Sequence, residues 1–313
     1  MTRADQPLDG HIGEPRTRTE DQRLLTGQGA FSSDLRPPGA CYAAFVRAPH
    51  AHARIVSIDT APATSMAGVI AVLTGRDTAA DGLQPIPHDP NWTGPPDAEL
   101  RLPADFEVTI TQHHVLAIDV VRHVGEAVVM VVAETAALAA EAAEQVEVDY
   151  QELPAVVDAR AAMRDGAPQL WPGCARNVAL TCEVGDRAAT ARAFERAAHV
   201  VTFDGVVNRV TGSPMEPRSV VGGYDVGVGR YTLHTASGAG VVRTRDRLAT
   251  VLGVRLEQCH VVFGDMGGNF GTRNAFYPEY ALLPWAAKKI GRPVKWTASR
   301  LECFVSDYQA RDL

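Results

Sequence analysis

Apolar and polar positions along this chain fall into short runs of two kinds, and the runs predict the elements. Cys41–Ala48 (CYAAFVRA) and Ala53–Ile58 (ARIVSI) have the length and composition of strands. Gly68–Thr74 (GVIAVLT) and Ala127–Ala133 (AVVMVVA) are unbroken apolar runs, the pattern of strands buried on both faces. From Thr135 to about Gln145 the chain is built of Ala, Leu and Glu, which favour helix, and Val146–Tyr150 then alternates as a half-exposed strand. Strand, helix and strand in close succession predict one packed α+β unit. Between these runs, 79–103 carries Pro85, Pro87, Pro90, Pro95, Pro96 and Pro103 and reads as loop.

Composition shifts across 152–173 (ELPAVVDARAAMRDGAPQLWPG), a connector that opens a second domain. Strands are expected at Asn177–Glu183, Val200–Val210, Ser219–Tyr224 and Arg230–Thr235, with a short helix at Ala188–Ala198. Val241–Leu252 is an amphipathic helix with Gly253 where a C′ cap belongs. Cys259–Phe263 predicts a strand, Pro278–Ile290 a helix kinked at Pro284, and Val294–Thr297 a strand. Glu302–Leu313 predicts neither a terminal helix nor a closing strand, as in a chain cut off mid-domain. The expected class is α+β: a flexible arm over 1–19, a first domain over 20–154, and the first part of a second over 155–313. No internal repeat is visible.

Composition narrows the function classes. The chain has 313 residues, 46% of them hydrophobic and 21% charged, which suits a soluble globular protein large enough for two cores. A net charge of −7 with no Lys/Arg block argues against nucleic acid. No apolar stretch reaches the length of a membrane span, and the first residues lack the apolar core of a signal peptide. Cys41, Cys174, Cys182, Cys259 and Cys303 are scattered without a CxxC pair, so no zinc knuckle or iron–sulfur cluster is encoded, and reduced thiols in the cytoplasm are expected. The pairs His50/His52 and His113/His114 lack carboxylate or cysteine companions at ligand spacing, so no metal ligand is expected from the chain.

The strongest candidate for chemistry is Gly264–Asn274, GDMGGNFGTRN, set between an apolar strand and an alanine-rich helix. Four glycines surround one aromatic, Phe270, which is expected to be buried. Bare backbone N–H groups there can approach an anionic or oxygen-rich guest. The other reading is a tight structural turn packed under Phe270. The spacing Gly264-x-x-Gly267-Gly268-x-x-Gly271 is neither the dinucleotide fingerprint nor a P-loop.

Several segments, in order, resemble the large subunit of the molybdenum hydroxylases, the family of xanthine dehydrogenase, aldehyde oxidase and aerobic carbon monoxide dehydrogenase. Arg23-Leu-Leu-Thr-Gly27 with Phe31 and Asp34 resembles the family's opening. Val46-Arg-Ala-Pro-His-Ala-His-Ala53, Gly68–Thr74, Val121-Arg-His-Val-Gly-Glu126 and Val146–Tyr150 with Leu153-Pro154 resemble its hammerhead-like α/β domain. Pro214-Met-Glu-Pro-Arg218, the glycine loop and Gly291-Arg-Pro-Val-Lys-Trp296 resemble the start of its mixed α+β molybdopterin-binding domain. Glu216 and Arg218 either pair to brace the site wall or lie on the surface.

The resemblance implies that Gly267, Gly268, Asn269, Phe270 and Gly271 line a molybdopterin, in its cytosine dinucleotide form, near the metal. The metal is held by the pterin dithiolene rather than by side chains. Relatives carry a third glycine where this chain has Asn269. They also carry a glutamine that bonds the metal's oxo ligand where this chain has Gly238, leaving Ser237 or a backbone N–H to substitute. Arg273 and Asn274 stand at substrate-facing positions. Asn274 cannot supply the negative charge that purine oxidisers place there, so purines are disfavoured. The catalytic glutamate is expected beyond residue 313. Expected partners are the rest of the large subunit, a small subunit with two [2Fe–2S] clusters and a medium subunit with FAD. The alternative is a non-catalytic fragment acting only as a binding or assembly module. A third reading is an unrelated nucleotide-binding protein.

Overall fold

The computed structural model describes residues 15, 17–88 and 108–312, so most of the expected arm and most of the proline-rich loop lie outside the described residues. Its centre is a seven-stranded mixed sheet drawn from both halves of the chain. In spatial order the strands are Cys259–Phe263, Arg230–Thr235, Ser219–Asp225, Val294–Thr297, Cys41–Arg47, Ala127–Ala133 and Val69–Thr74. Cys41–Arg47 joins the halves by pairing in parallel with Val294–Thr297 (Cys41 opposite Val294) and antiparallel with Ala127–Ala133 (Phe45 opposite Met130). The expected domain boundary near residue 154 is therefore crossed by backbone hydrogen bonds.

Ala127–Ala133 is buried at every position, which accounts for its unbroken apolar run. Met130 and Val132 belong to a core shared with the helices Val241–Leu252 and Pro278–Ile290. Val129 and Val131 belong to a second core, beneath the helix Ala136–Glu144 and a three-stranded sheet of Val120–Val121, Ala53–Asp59 and Glu147–Glu152.

Pro284 is accommodated inside one helix, Pro278–Ile290, that the structure carries through without interruption. The helix lies on the sheet where Gly222 has no side chain; a Cβ there would overlap the peptide between Leu283 and Pro284.

Four expectations differ. Asn177–Glu183 and most of 200–210 are not strands; Glu183 makes a single bridge, and Val210–Thr211 pairs with Gln309–Ala310. Among the described residues no sheet covers Val201 and Phe203, which are 91% and 90% exposed. Pro87 lies in a short strand, Ile86–His88, paired with Thr111–His113, where a two-stranded ribbon tolerates a missing donor. The end of the chain does form a helix, Arg300–Ser306, started by a capping box in which Ser299 and Glu302 exchange hydrogen bonds, and then the strand Gln309–Ala310.

Candidate functional site

The glycine loop leaves the sheet at Phe263 and is fastened at three points. At its foot, the Arg23 guanidinium grips both Asp265 carboxylate oxygens at 2.6 Å, and the amide of Ala30 donates to Oδ2 at 2.6 Å. Those bonds hold the Asp265 carboxyl well below the usual range. Gly264 is required because a Cβ would overlap the Ala30 carbonyl. The Arg23–Phe31 segment thus serves as the loop's clamp.

At mid-loop, the Gly267 amide donates to Glu216 Oε2 (2.8 Å), and its carbonyl accepts from the Glu216 amide (3.3 Å). Glu216 also meets Arg273, whose Nη1 lies 3.4 Å from Oε2 and whose Nη2 donates to the Glu216 carbonyl. Arg273 is 1% exposed and turned inward, because this pairing draws it under the loop. Its side chain thus points inward, away from the loop's exposed face. Glu216 and Arg218 do not pair with each other.

Arg218, equally buried, bonds Glu279 and Asp307 at 2.6 Å each, and Glu279 also takes Arg47 at 2.6 Å. Burial alone would raise the Glu279 pKa. The two guanidiniums overcome that and hold it at about 2.

The third fastening lies beside Gly238. The Asn269 carboxamide donates to Asn274 Oδ1 (2.9 Å), and the pair occupies the space a side chain at 238 would need. The Ser237 hydroxyl donates to the Arg273 carbonyl (2.9 Å) and accepts from the Ala239 amide (3.2 Å); it ties this segment to the loop. Asn269 Oδ1 is buried with no partner.

What remains is a small surface of donors. Among the described residues, no acceptor faces the amides of Gly268, Asn269, Phe270 and Gly271, whereas that of Gly267 is taken by Glu216. Gly268 and Gly271 adopt φ of +117° and +86°, and Phe270 itself sits at +50°. Phe270 is not buried: it is 76% exposed at the loop's tip, because the core beneath is filled by Thr272 and Tyr277. The loop opens on the surface and lines neither of two large cavities, of about 1010 and 650 Å³. Unpartnered amides, positive-φ glycines and an orphaned carboxamide oxygen fit a broad, oxygen- and nitrogen-rimmed group such as a pterin.

The chain is similar to known proteins over nearly its whole length. The model of the aldehyde oxidase and xanthine dehydrogenase a/b hammerhead domain matches residues 26–95 and 97–154, and that of the molybdopterin cofactor-binding domain matches 171–313. The chain belongs to the molybdenum hydroxylases. It is 36% identical over 304 residues to the 6-hydroxypseudooxynicotine dehydrogenase complex subunit gamma of Paenarthrobacter nicotinovorans, covering 96% of this chain and 36% of that protein. It is 33% identical to the carbon monoxide dehydrogenase large chain of Afipia carboxidovorans, with the same coverages. The fold superposes on quinoline 2-oxidoreductase from Pseudomonas putida 86 with a TM-score of 0.82 at 34% identity, covering 96% of this chain and 36% of that one. This molybdenum hydroxylase chain thus spans about a third of the length of the curated relatives it matches. Among the described residues, no helix is long and apolar enough to cross a membrane.

Glu216 was expected either to brace the site wall with Arg218 or to lie on the surface; it braces the loop with Arg273 and Gly267 instead. Asp265 was not expected as an anchor, since its partners Arg23 and Ala30 lie far away in the chain.

Proposed function

We propose that this chain carries the loop that holds the molybdenum cofactor in a hydroxylase oxidising a small non-purine molecule, an N-heterocycle, an aldehyde or carbon monoxide. The observation that carries this reading is the run of unpartnered amides at Gly268–Gly271 beside the Gly238–Asn269–Asn274 contact. When bound, the cofactor supplies the redox chemistry and the water-derived oxygen. The chain's residues bind and orient it. Gly268, Phe270 and Gly271 present amides without steric hindrance, and Asn269 adds a carboxamide where relatives have glycine. Gly267 and Ser237 hold the loop's shape, and Arg273 with Glu216 braces it from beneath. Asn274, exposed and neutral, faces substrate and offers no charge to a purine.

The cofactor is proposed in its cytosine dinucleotide form. The remaining wall of the site and the catalytic glutamate come from large-subunit residues outside these 313. Electrons pass to a small subunit with [2Fe–2S] clusters and a medium subunit with FAD. Work in the cytoplasm fits thiols with no pairing: Cys41, Cys174, Cys182, Cys259 and Cys303 are all free.

The test is dye reduction by the natively purified protein, with its accompanying polypeptides, against quinoline, benzaldehyde, carbon monoxide and xanthine. Turnover of one of the first three and none of xanthine supports the reading. No dye reduction with any of them, and no iron–sulfur or flavin polypeptide bound, would leave the non-catalytic assembly module instead.

A further inference from the structure

Away from the glycine loop, the fold assembles a second group of side chains with ligand chemistry. His113 ends the strand Thr111–His113, and His123 and Glu126 flank the tight turn that leads into Ala127–Ala133. One nitrogen from each imidazole and one Glu126 oxygen all lie within 4.8 Å of one another. We propose that His113, His123 and Glu126 form a binding site for a divalent cation of the zinc class.

The turn is shaped for this. Gly125, at φ +89°, lets the chain pass against the Val305 carbonyl, where a Cβ would overlap it, and its amide is anchored on the Ala48 carbonyl at 2.8 Å. The Arg122 amide donates to Glu126 Oε2 at 2.6 Å and fixes the carboxylate beside His123. His123 Nδ1 donates to the Val124 carbonyl at 3.1 Å; with the proton there, Nε2 keeps its lone pair for a metal. His113 Nδ1 is buried without a hydrogen-bond partner. The His88 ring packs, tilted by 56°, against the His113 ring at 5.1 Å and is held by Tyr308 at 2.8 Å, forming a wall behind the cluster.

Charge points the same way. Glu126 is 5% exposed and, among the described residues, makes no ion pair. A buried carboxylate without a cation is costly. The nearest guanidiniums are engaged elsewhere: Arg122 donates to the Leu170 carbonyl over the Trp171 ring, and Arg47 binds Glu279 and Glu302. A bound cation would neutralise Glu126. Two imidazoles and one carboxylate are ligands that zinc accepts, whereas magnesium and calcium require oxygen sets. At zinc bond lengths the three atoms would close to roughly 3.4 Å of one another, a side-chain-scale movement for the exposed His123. The adjoining 650 Å³ cavity admits the ion and a water as fourth ligand.

The test uses the natively produced protein, stripped with chelator and titrated with Co²⁺ while visible absorption is followed, with zinc measured after reloading. One equivalent with tetrahedral d–d bands is expected in the wild type. His123→Ala, at an exposed position, should remain folded, lose the bands and bind roughly tenfold or more weakly. Glu126→Gln should weaken binding while keeping the shape of the residue. Equal cobalt spectra and affinity in wild type and both variants, or no binding in the wild type, would overturn the proposal. The cobalt bands come from this site whether or not molybdenum is retained, so the outcome is independent of the proposed oxidation.

Discussion

The structure places Gly238 and Asn269, the two positions where the resemblance implies a glutamine and a glycine, in contact. Each position was legible in the sequence; their contact was not, because it depends on how the chain folds the loop back over the end of Arg230–Thr235. Gly238→Gln is expected to collide with Asn269 and Asn274, lowering stability by about 1–3 kcal/mol. In the double variant with Asn269→Gly the loss should shrink, and a double-mutant cycle on urea midpoints measures the coupling. Arg273 was legible as a loop residue, but its inward direction was not, since Glu216 sets it from another segment. Phe270 was misjudged because aromatic character alone does not reveal which side of a left-handed residue faces the core.

The buried charges yield a pH prediction. The folded Glu279 pKa of about 2 lies below its unfolded value, so its pairing contributes stability that is fully present above the unfolded value. That contribution is lost as pH falls from near 4.5 towards 2, and acid titration of unfolding midpoints checks it. Arg218→Met leaves Glu279 and Asp307 with less compensation and should cost about 3–5 kcal/mol at neutral pH, with a shallower acid dependence.

At the scale of elements, the pattern of apolar positions was most reliable where it was longest. Ala127–Ala133, Val241–Leu252 and Pro278–Ile290 occupy the residues expected of them, because burial on both faces or along one stripe is written locally. Val200–Arg209 carries the β-branched residues of a strand, but among the described residues no strand lies beside it; Val210 alone of the expected run pairs, with Ala310. The helix Arg300–Ser306 was missed although Ser299-Arg-Leu-Glu302 is a capping-box signature, a signal that was there to be used. Contact between elements is a further matter: nothing near Gly222 in the sequence announces a helix backbone pressed against it. Gly222→Ala is expected to lift the Leu283–Pro284 turn off the sheet and cost about 1–3 kcal/mol, measured by urea denaturation.

The whole molecule is organised by the shared sheet. The sequence reads as two successive runs of elements, yet Cys41–Arg47 binds strands from both. Arg47 adds side-chain bonds across the same seam, to Glu279 and Glu302. Heating should therefore unfold residues of both halves in one transition, and hydrogen exchange should report equal protection for Phe45, Val131 and Trp296. Two separate transitions would show that the seam is weak. The same sheet fixes the loop's position, since Phe263 ends one edge strand and the Arg23–Phe31 clamp belongs to the other half of the chain. The most direct test of the whole account is molybdenum content, by elemental analysis, of the natively purified wild-type protein and of Gly268→Val. Near-stoichiometric molybdenum in the wild type, and its loss from a variant that remains folded, is the predicted result. Equal molybdenum in the two proteins would contradict the placement of the cofactor on this loop.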